Sequence, residues 1–390
     1  MAGGTEHFIF AGGGTGGHLF PGLAVAEELG CVPGGRRQAH VVSSNRAIDA
    51  RVLAGRPVTV LAVPAQPFGV HPMRLWRCLS SWGSSVRAVR RLIAECRRDG
   101  GTVRMVATGG FVAAPAVQAA RVDRVPLVVL NIDAVPGKAN RFIAWRAGDA
   151  ARVLTTFRLS EGFAQSWRVI PPIVRREALA PGDRTACKRK LGLDPQRPVL
   201  MVTGGSLGAA SLSGLLPLLC ADADGPLRKQ GWQVLHQTGK AESPLDVGSL
   251  RAMYAAAGVK AVVVEFNPAL GQWWGAADLA VTRAGAGAVA EAWANTVPAV
   301  FVPYPYHKDQ HQALNAKPLV ELGGAVLMTD LIDPAKTLAA EQGRGDGVLG
   351  LLAEPARLEA MREKLGKLGP ADGAAQVARE VLAATAGGRR

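Results

Sequence analysis

Cysteines are few in this chain and widely spaced. The five are Cys31, Cys78, Cys96, Cys187 and Cys220. With no CxxC pair, they predict reduced and mostly buried thiols rather than a disulfide framework or a zinc site. The N-terminus has no basic stretch followed by a long apolar run, so no signal peptide is predicted. No apolar run reaches the ~20 residues that a membrane-spanning helix needs.

Acidic residues are also scarce relative to basic ones. The 390 residues include 31 Asp and Glu against 45 Lys and Arg, which gives a formal net charge of +14. This excess predicts an anionic partner, which could be a phosphate group, a nucleic acid or an anionic membrane surface. Hydrophobic residues make up 48% and charged residues 19%. That composition excludes a disordered chain, and the length suits two α/β domains.

The most informative stretch is a glycine-rich loop near the N-terminus. It follows the apolar run His7–Phe10, continues from Ala11 to Gly17, ends at His18 and leads into a helical pattern. A strand, a glycine turn and a helix N-terminus in this order can hold an anion, because glycine lets the backbone approach closely and helix amides favour negative charge. A tight turn with purely geometric glycines is the competing interpretation. His18 directly after the glycines favours a catalytic loop.

The same unit occurs again about 190 residues later. A strand over 198–202 precedes the glycine loop 203–211 and a helix over 212–220. Prolines interrupt regular structure between Trp167 and Pro181, so we place a domain boundary there. The predicted domains are residues 1–170 and 171–370, both Rossmann-like, and a C-terminal helix over 371–386 is expected to pack back on the first domain.

The segment Met73–Trp82 interleaves Trp and Leu with Arg, and the basic bias continues into a predicted helix. Such a surface is typical of a helix that binds an anionic membrane. A solvated arginine-rich helix with core-facing Trp fits the segment equally well. Asp222-Ala223-Asp224 spells the metal-binding DxD of some glycosyltransferases, but its position between a helix and Gly225 favours a solvated loop.

Three motifs occur in an order that closely resembles the MurG family of bacteria. They are Gly13-Gly14-Thr15-Gly16-Gly17-His18, His236-Gln237-Thr238-Gly239-Lys240 and Arg283-Ala284-Gly285-Ala286. The resemblance extends from Gly12 to about Leu327. It implies an α/β GT-B fold, with two Rossmann-like domains facing across a cleft. It also implies an inverting transfer of N-acetylglucosamine (GlcNAc) from UDP-GlcNAc to the MurNAc 4-hydroxyl of undecaprenyl-diphospho-MurNAc-pentapeptide (lipid I), which gives lipid II.

The implied partners are UDP-GlcNAc, lipid I and the cytoplasmic face of the cell membrane, where the protein would be peripheral through Met73–Trp82. The resemblance thus implies a role in peptidoglycan synthesis and so in cell-wall biogenesis, cell shape and cell division. No cofactor, metal or nucleic acid is implied. The negative charge of a departing UDP can be balanced by a helix N-terminus and an arginine, without a metal.

The resemblance also assigns roles to individual residues. His18 is implied as the general base, and an imidazole suits that task because it titrates near neutral pH. Glu291 is implied to bind the ribose hydroxyls, and Arg175 and Ser206 to contact the diphosphate. The full set of implied substrate-binding residues is Thr15, Gly16, Gly17, Asp133, Arg175, Ser206, Asn267, Ala286, Gly287, Ala288, Val289, Ala290, Glu291, His311 and Gln312.

Some positions depart from the family pattern and leave alternatives open. Leu130-Asn131-Ile132-Asp133 replaces the usual His-Glu-Gln-Asn, so a carboxylate stands where an amide is expected, and Asp133 is the second candidate for the base. Arg176 competes with Arg175 for the diphosphate. A GT-B UDP-sugar transferase with a different lipid or small-molecule acceptor is the main alternative function.

Two alternatives from other classes fit less well. A dinucleotide-dependent oxidoreductase normally has an acidic residue at the end of its second strand, where this chain has Ser43-Ser44-Asn45. A basic nucleic-acid-binding protein would account for the charge, but the sequence contains no recognised nucleic-acid-binding module.

Overall fold

The computed structural model describes residues 4–68, 71–98, 100–148, 151–158, 167–204, 209–239 and 246–384, without the side chains of residues 74 and 75. The chain divides into two compact units. Unit 1 is Met1–Arg175 with Asp372–Arg390, and unit 2 is Arg176–Ala371. The C-terminal segment thus belongs to the same unit as the N-terminus.

The strands are β1 (Glu6–Gly12), β2 (Arg37–Ser44), β3 (Thr59–Val63), β4 (Thr102–Gly109), β5 (Leu127–Asn131), β6 (Ala151–Thr155), β7 (Arg168–Val169), β8 (Val199–Thr203), β9 (Gln233–Gln237), β10 (Ala261–Val264), β11 (Leu279–Thr282), β12 (Ala299–Phe301) and β13 (Ala325–Leu327). The helices are α1 (Gly16–Glu28), α2 (Ala47–Leu53), α3 (Pro72–Arg97), α4 (Ala113–Val122), α5 (Lys138–Ala147), α6 (Arg184–Lys190), α7 (Ala210–Ala221), α8 (Pro226–Lys229), α9 (Val247–Ala256), α10 (Gly271–Ala276), α11 (Ala286–Ala294), α12 (His311–Glu321), α13 (Pro334–Glu341), α14 (Val348–Ala353), α15 (Ala356–Gly366) and α16 (Gly373–Ala383).

Unit 1 is built on a parallel sheet with the order β3-β2-β1-β4-β5-β6-β7 among its described residues. This is the order of a Rossmann fold, in which the chain reverses direction across the sheet between β1 and β4. Open α/β sheets bind ligands in the crevice at the carboxyl ends of the strands beside that reversal. The glycine loop after β1 and the Thr108-Gly109 end of β4 meet there.

The core of unit 1 forms because its central strands are apolar on both faces. Ile9, Val42 and Met105 are fully buried or nearly so under α3 and α4. Helix α16 packs against α1. Its first residue, Gly373, lies so close to the chain that an added Cβ would be 2.0 Å from the Pro171 carbonyl oxygen. A glycine is therefore required where the C-terminal helix begins.

Unit 2 repeats the arrangement, with the parallel order β10-β9-β8-β11-β12-β13 among its described residues. Its reversal lies between β8 and β11. A large tryptophan is buried on each side of the sheet: Trp232 donates from its indole to the Leu352 carbonyl at 2.9 Å, and Trp274 packs under α11. Two α/β units with parallel sheets confirm the predicted fold class.

Helix α3 is the longest described helix and is strongly two-sided. Val89, Ile93 and Cys96 are buried in the unit 1 core, whereas Trp76 and Leu79 are 66% and 65% exposed. Within the part of the chain that the structure describes, no helix combines the length and the apolar character needed to cross a membrane.

Candidate active site

His18 lies in the first turn of α1, at the reversal point of the unit 1 sheet. Its Nδ1 is 3.2 Å from the backbone carbonyl oxygen of Thr108 at the end of β4. A carbonyl only accepts, so Nδ1 carries the proton and Nε2 of the neutral ring is the basic atom. The Thr108 hydroxyl in turn donates to the His18 carbonyl. This pair of contacts fixes both the tautomer and the orientation of the His18 imidazole.

Two glycines after Thr108 make room for the His18 ring. Gly109 and Gly110 have φ values of +106° and +76°. A Cβ at Gly109 would lie 3.1 Å from His18 Nδ1, and one at Gly110 would lie 3.1 Å from His18 Cδ2. Both the left-handed backbone and the close approach therefore require glycine. This Gly-Gly turn was visible in the sequence, but its packing against the His18 imidazole was not.

Burial lowers the pKa of His18 below its ordinary value, because the charged ring loses hydration. The negative charge of Asp133, the Thr108 carbonyl and the charge of Asp49 oppose this shift, in that order. The ring is therefore neutral at neutral pH, which is the form that can accept a proton. The sequence analysis gave Asp133 as the second candidate for the base. In the structure, its charge acts on the imidazole of His18, the first candidate.

Asp49 is a site residue that the sequence analysis missed. It is fully buried, and its carboxylate accepts from the Gly14 amide at 2.9 and 3.0 Å and from the Ser44 hydroxyl at 2.6 Å. The Gly14 amide of the loop is thus bound within the protein and is not offered to a ligand anion. The predicted roles of Thr15, Gly16 and Gly17 stay predictions. The signal available in sequence was only an acidic residue shortly after β2.

The other predicted residues of the glycine loop lie at the start of α1. Thr15 is the exposed N-cap and makes no side-chain capping bond; Gly16 is buried and Gly17 exposed. Arg175, 7% exposed, stacks its guanidinium 3.8 Å from the centre of the Phe20 ring. A Cβ on Gly16 would be 2.9 Å from that ring. Arg175 is therefore anchored beside the loop within unit 1, and its contact with a diphosphate stays a prediction.

Asp133 follows β5, in a turn held by two asparagines. The Asn131 amide donates to the Asp133 carbonyl at 2.7 Å and to the Thr155 hydroxyl at 3.0 Å. Asn140 of α5 donates to the Leu130 carbonyl at 3.3 Å. These bonds set the path of the chain that brings the Asp133 charge near His18. The altered 130–133 motif, at the end of β5, is thus held in place by side-chain hydrogen bonds.

In unit 2, polar side chains connect the carboxyl ends of neighbouring strands. Gln237, at the end of β9, donates to the Thr203 hydroxyl at 3.1 Å and accepts from the Asn267 backbone amide at 2.9 Å. Asn267 was predicted to pair with uracil through its backbone. A base that used the amide as well as the carbonyl would have to displace Gln237. The predicted residue Ser206 lies outside the described residues.

Helix α11 begins at the unit 2 reversal point with its N-terminus uncapped by any described side chain. Its first intrahelical bond runs from the Val289 amide to Gly285, so the amides of Ala286, Gly287 and Ala288 have no acceptor in the helix. A Cβ at Gly287 would meet no atom within 4 Å. Gly287 therefore presents open space beside the helix amides, an arrangement suited to phosphate, whereas Val289 and Ala290 are buried.

Glu291 lies one turn further along α11 and is half-buried. Its Oε2 accepts from the indole nitrogen of Trp274 at 2.8 Å. The indole fixes the carboxylate orientation while a carboxylate retains several acceptor positions, which is compatible with binding a ribose diol. Its predicted role in binding ribose stays a prediction.

His311 and Gln312 begin α12 and brace the preceding loop. His311 Nδ1 is 2.7 Å from Asp309 Oδ1, and Gln312 Oε1 accepts from the Tyr304 amide at 2.8 Å. Since the Gln312 oxygen is engaged, a sugar hydroxyl would meet its NH₂ group. The Tyr304 ring also lies 5.6 Å from the Arg283 guanidinium, which pairs with Asp330 at 2.8 Å.

Two other sequence features have structural roles. His236 is fully buried and bonds Tyr254 at 3.0 Å and Ser213 at 3.2 Å. Burial lowers its pKa to about 4, so it is a neutral core residue. Asp222 and Asp224 form an exposed turn in which the Asp224 amide donates to Asp222 at 3.1 Å. The solvated-loop interpretation of these aspartates fits this geometry.

Comparison with known proteins agrees with the two-unit architecture. Residues 8–152 match the glycosyltransferase family 28 N-terminal domain, and residues 199–375 match its C-terminal domain. A protein of Clavibacter michiganensis, named UDP-N-acetylglucosamine–N-acetylmuramyl-(pentapeptide) pyrophosphoryl-undecaprenol N-acetylglucosamine transferase, is 36% identical over 377 residues, 95% of this chain and 94% of its own. A Paenarthrobacter aurescens protein of the same name is 34% identical over 93% of this chain and 91% of its own.

Among solved structures, Acinetobacter baumannii MurG matches with a TM-score of 0.68 at 24% identity, covering 97% of this chain and 99% of its own. This structural match shows that the fold is shared. The two relatives named above also share 36% and 34% of the sequence with this chain. The chain therefore belongs to glycosyltransferase family 28 and, within it, to the MurG family.

Proposed function

We propose that this protein transfers GlcNAc from UDP-GlcNAc to the MurNAc 4-hydroxyl of lipid I, forming lipid II in peptidoglycan synthesis. The observation that carries the proposal is the match of about 95% of the chain, at 36% identity, to a transferase named for this donor and acceptor. The oriented neutral His18 supplies the chemistry that such a transfer requires.

The proposed reaction inverts the configuration of the sugar. The acceptor hydroxyl attacks the anomeric carbon as the bond to UDP breaks, and the hydroxyl proton passes to His18 Nε2. A sugar hydroxyl is too weak an acid to ionise at neutral pH, so a base must take the proton during bond formation. The hydrogen bond from Nδ1 to the Thr108 carbonyl keeps the imidazole aimed and stabilises the positive charge that develops on it.

Unit 2 is proposed to hold the donor. The open amides at the start of α11 balance the charge of the departing diphosphate, because the helix dipole favours an anion there. Glu291, oriented by Trp274, would accept hydrogen bonds from the ribose. The Arg175 guanidinium would bind the diphosphate through two hydrogen bonds. The side-chain NH₂ group of Gln312 would donate to the GlcNAc hydroxyls. These roles require no metal ion.

An acceptor assay tests the function directly. Purified protein with labelled UDP-GlcNAc is offered a lipid I analogue, a lipid-linked diphosphate without MurNAc, and free MurNAc-pentapeptide. We expect label on the lipid I analogue alone, with His18→Ala as the inactive control. Transfer to another acceptor in preference to lipid I would favour a different GT-B UDP-sugar transferase.

We further propose that unit 1 docks on the cytoplasmic face of the membrane as a peripheral protein. Exposed apolar side chains on α3, namely Met73, Trp76 and Leu79, are joined by Phe142 and Trp145 of α5, which are 40% and 70% exposed. We call these five residues the aromatic surface. Trp82 of α3 contacts Phe142 edge-on, with ring centres 6.3 Å apart, and so links the two helices.

Basic residues surround this aromatic surface. Arg77, Lys138 and Arg141 are exposed on the same two helices. Large aromatic side chains with cations beside them suit the interface of an anionic bilayer. Both helices start on the side of the unit 1 sheet where the strands end, which is also the side of His18. Docking there would bring the base towards the lipid-linked acceptor.

Vesicle co-sedimentation tests the membrane proposal. With phosphatidylglycerol vesicles, we expect Trp76→Glu and Trp145→Glu each to reduce the bound fraction. Raising the salt should also weaken binding, because the Debye length falls from ~10 Å at 0.1 M to ~3 Å at 1 M. Val122→Glu, at a position of unit 1 that is 53% exposed, is the matched control. Equal binding by all variants and at all salt concentrations would contradict the proposal.

A further inference from the structure

Three side chains that can bind metal meet in unit 1, away from the loop of His18. His7 Nδ1 lies 3.0 Å from His40 Nε2, which lies 3.6 Å from Cys96 Sγ. All three ligand atoms are within 4.8 Å of one another. His7 is at the start of β1, so roughly 16 Å of strand, at ~3.3 Å per residue, separates it from the glycine loop.

The fold brings these residues together on one face of the sheet. His40 of β2 is in register with Ile9 of β1, and His7 shares the face of Ile9 because side chains alternate along a strand. The end of α3, with Cys96, packs on this face in the same core as Ile9. A Cβ at Gly101 would lie 2.2 Å from the Cys96 carbonyl oxygen and 2.9 Å from His7 Cδ2. Glycine there lets the chain close on both residues.

The spacing matches a tetrahedral zinc ion. With Zn–N of about 2.05 Å and Zn–S of about 2.3 Å, tetrahedral angles separate two nitrogen ligands by about 3.3 Å and a nitrogen and a sulfur by about 3.6 Å. The His7–His40 and His40–Cys96 distances are close to these values. Imidazole and thiolate are also the ligand types that zinc prefers over Mg²⁺ or Ca²⁺.

The environment also suits such an ion. His40 and Cys96 are each 6% exposed, whereas His7 is half-buried and leaves a path from solvent. Among the described residues, His40 Nδ1 has no hydrogen-bond partner. Its ring is therefore held through Nε2, the atom that faces the other two donors.

We propose that His7, His40 and Cys96 form a zinc site, with water as the fourth ligand, that ties β1 and β2 to the end of α3. On binding, the Cys96 thiol releases its proton to solvent and the thiolate coordinates the ion. Searching the sequence for closely spaced cysteine pairs misses this site, because its ligands come from three separate elements. The site is remote from the proposed reaction and does not depend on it.

Cobalt binding provides the test. The full-length protein is freed of metal with a chelator and titrated with Co²⁺, whose bond to a thiolate gives a charge-transfer absorption band. We expect the band to saturate at one equivalent in the wild type and to disappear on adding Zn²⁺. Cys96→Ser should lose the band, and Cys31→Ser, whose thiol is equally buried in unit 1, should retain it. No band in the wild type, or an unchanged band in Cys96→Ser, would overturn the proposal.

A second measurement covers the case in which Cys96→Ser does not fold. His7→Ala alters a half-buried residue near the start of a strand, so its fold is expected to survive. We expect Zn²⁺ to raise the Tm of the wild type and of Cys31→Ser but to leave that of His7→Ala unchanged. An equal rise in all three proteins would remove His7 from the site and refute the three-ligand proposal.

Discussion

The two sheets reverse at equivalent points, yet the turns there differ in what binds their backbone amides. In unit 1 the Gly14 amide is held by the buried carboxylate of Asp49, and the loop presents an imidazole. In unit 2 the first turn of α11 carries no imidazole and is open around Gly287. Like the first turn of α1, it has no acidic residue and no side-chain cap among the described residues. The unit 1 turn is proposed to support a base, and the unit 2 turn is proposed to offer its amides to an anion.

This difference teaches that a glycine-rich turn does not by itself indicate an anion site. The glycines of unit 1 allow close packing. A Cβ at Gly13 would lie 2.6 Å from Asp49 Oδ2, and Gly109 and Gly110 leave room for the His18 ring. We propose that similar local sequence supports catalysis in one unit and ligand binding in the other. The predictions below test this division of roles.

The largest effect is expected from removing the proposed base in unit 1. His18→Ala should lower kcat by ~10²–10⁴-fold, the usual contribution of general-base catalysis. Binding of UDP-GlcNAc should be nearly unchanged, because His18 is assigned to the acceptor hydroxyl and not to the donor. Steady-state kinetics and isothermal titration measure the two effects. If His18→Ala weakened UDP-GlcNAc binding by a factor similar to its loss in kcat, the proposed division of roles between the two turns would be wrong.

A smaller effect is expected on the unit 2 side. Glu291→Ala should weaken UDP-GlcNAc binding by roughly 1.5–3 kcal/mol through lost charge-assisted bonds, or roughly 10- to 150-fold in Kd. Glu291→Gln retains an acceptor for the Trp274 indole and separates loss of the charge from disturbed packing. Glu359→Ala, at an exposed position of unit 2, is the control. A Kd unchanged in both Glu291 variants would exclude this residue from the donor site.

The smallest and most specific effect concerns pH. The Asp133 charge raises the pKa of His18 against the dominant effect of burial, so Asp133→Asn should lower that pKa further. Protonated His18 cannot act as a base, and the acid limb of kcat/KM should move to lower pH, from a position already below the ordinary histidine value of 6.5. Activity at the optimum should fall far less than in His18→Ala. A collapse of activity at every pH would make Asp133 the base.

Much of the fold could be predicted because its signals are local. Buried parallel strands are continuous apolar runs, and the glycine turns follow them directly. The helix over 371–386 was predicted from its pattern, and the structure begins it at Gly373 and ends it at Ala383. His18 stood out because it lies within the turn itself. The aromatic surface was anticipated only in part, since Phe142 and Trp145 are far from Met73–Trp82 in sequence.

By itself, the sequence predicted the glycine turns with the strands and helices beside them, the repeat of that unit in the second half, and an imidazole in the first of these turns. Those features follow from hydrophobic period and from the conformations that glycine permits. Only the tertiary structure decided that Asp49 binds the Gly14 amide, that Asp133 acts on His18, and that His7, His40 and Cys96 meet. The physical reason is that a buried polar group is satisfied by whichever partner the packed chain brings within hydrogen-bond distance. His40 and Cys96, 56 residues apart, become neighbours only when α3 closes on the sheet.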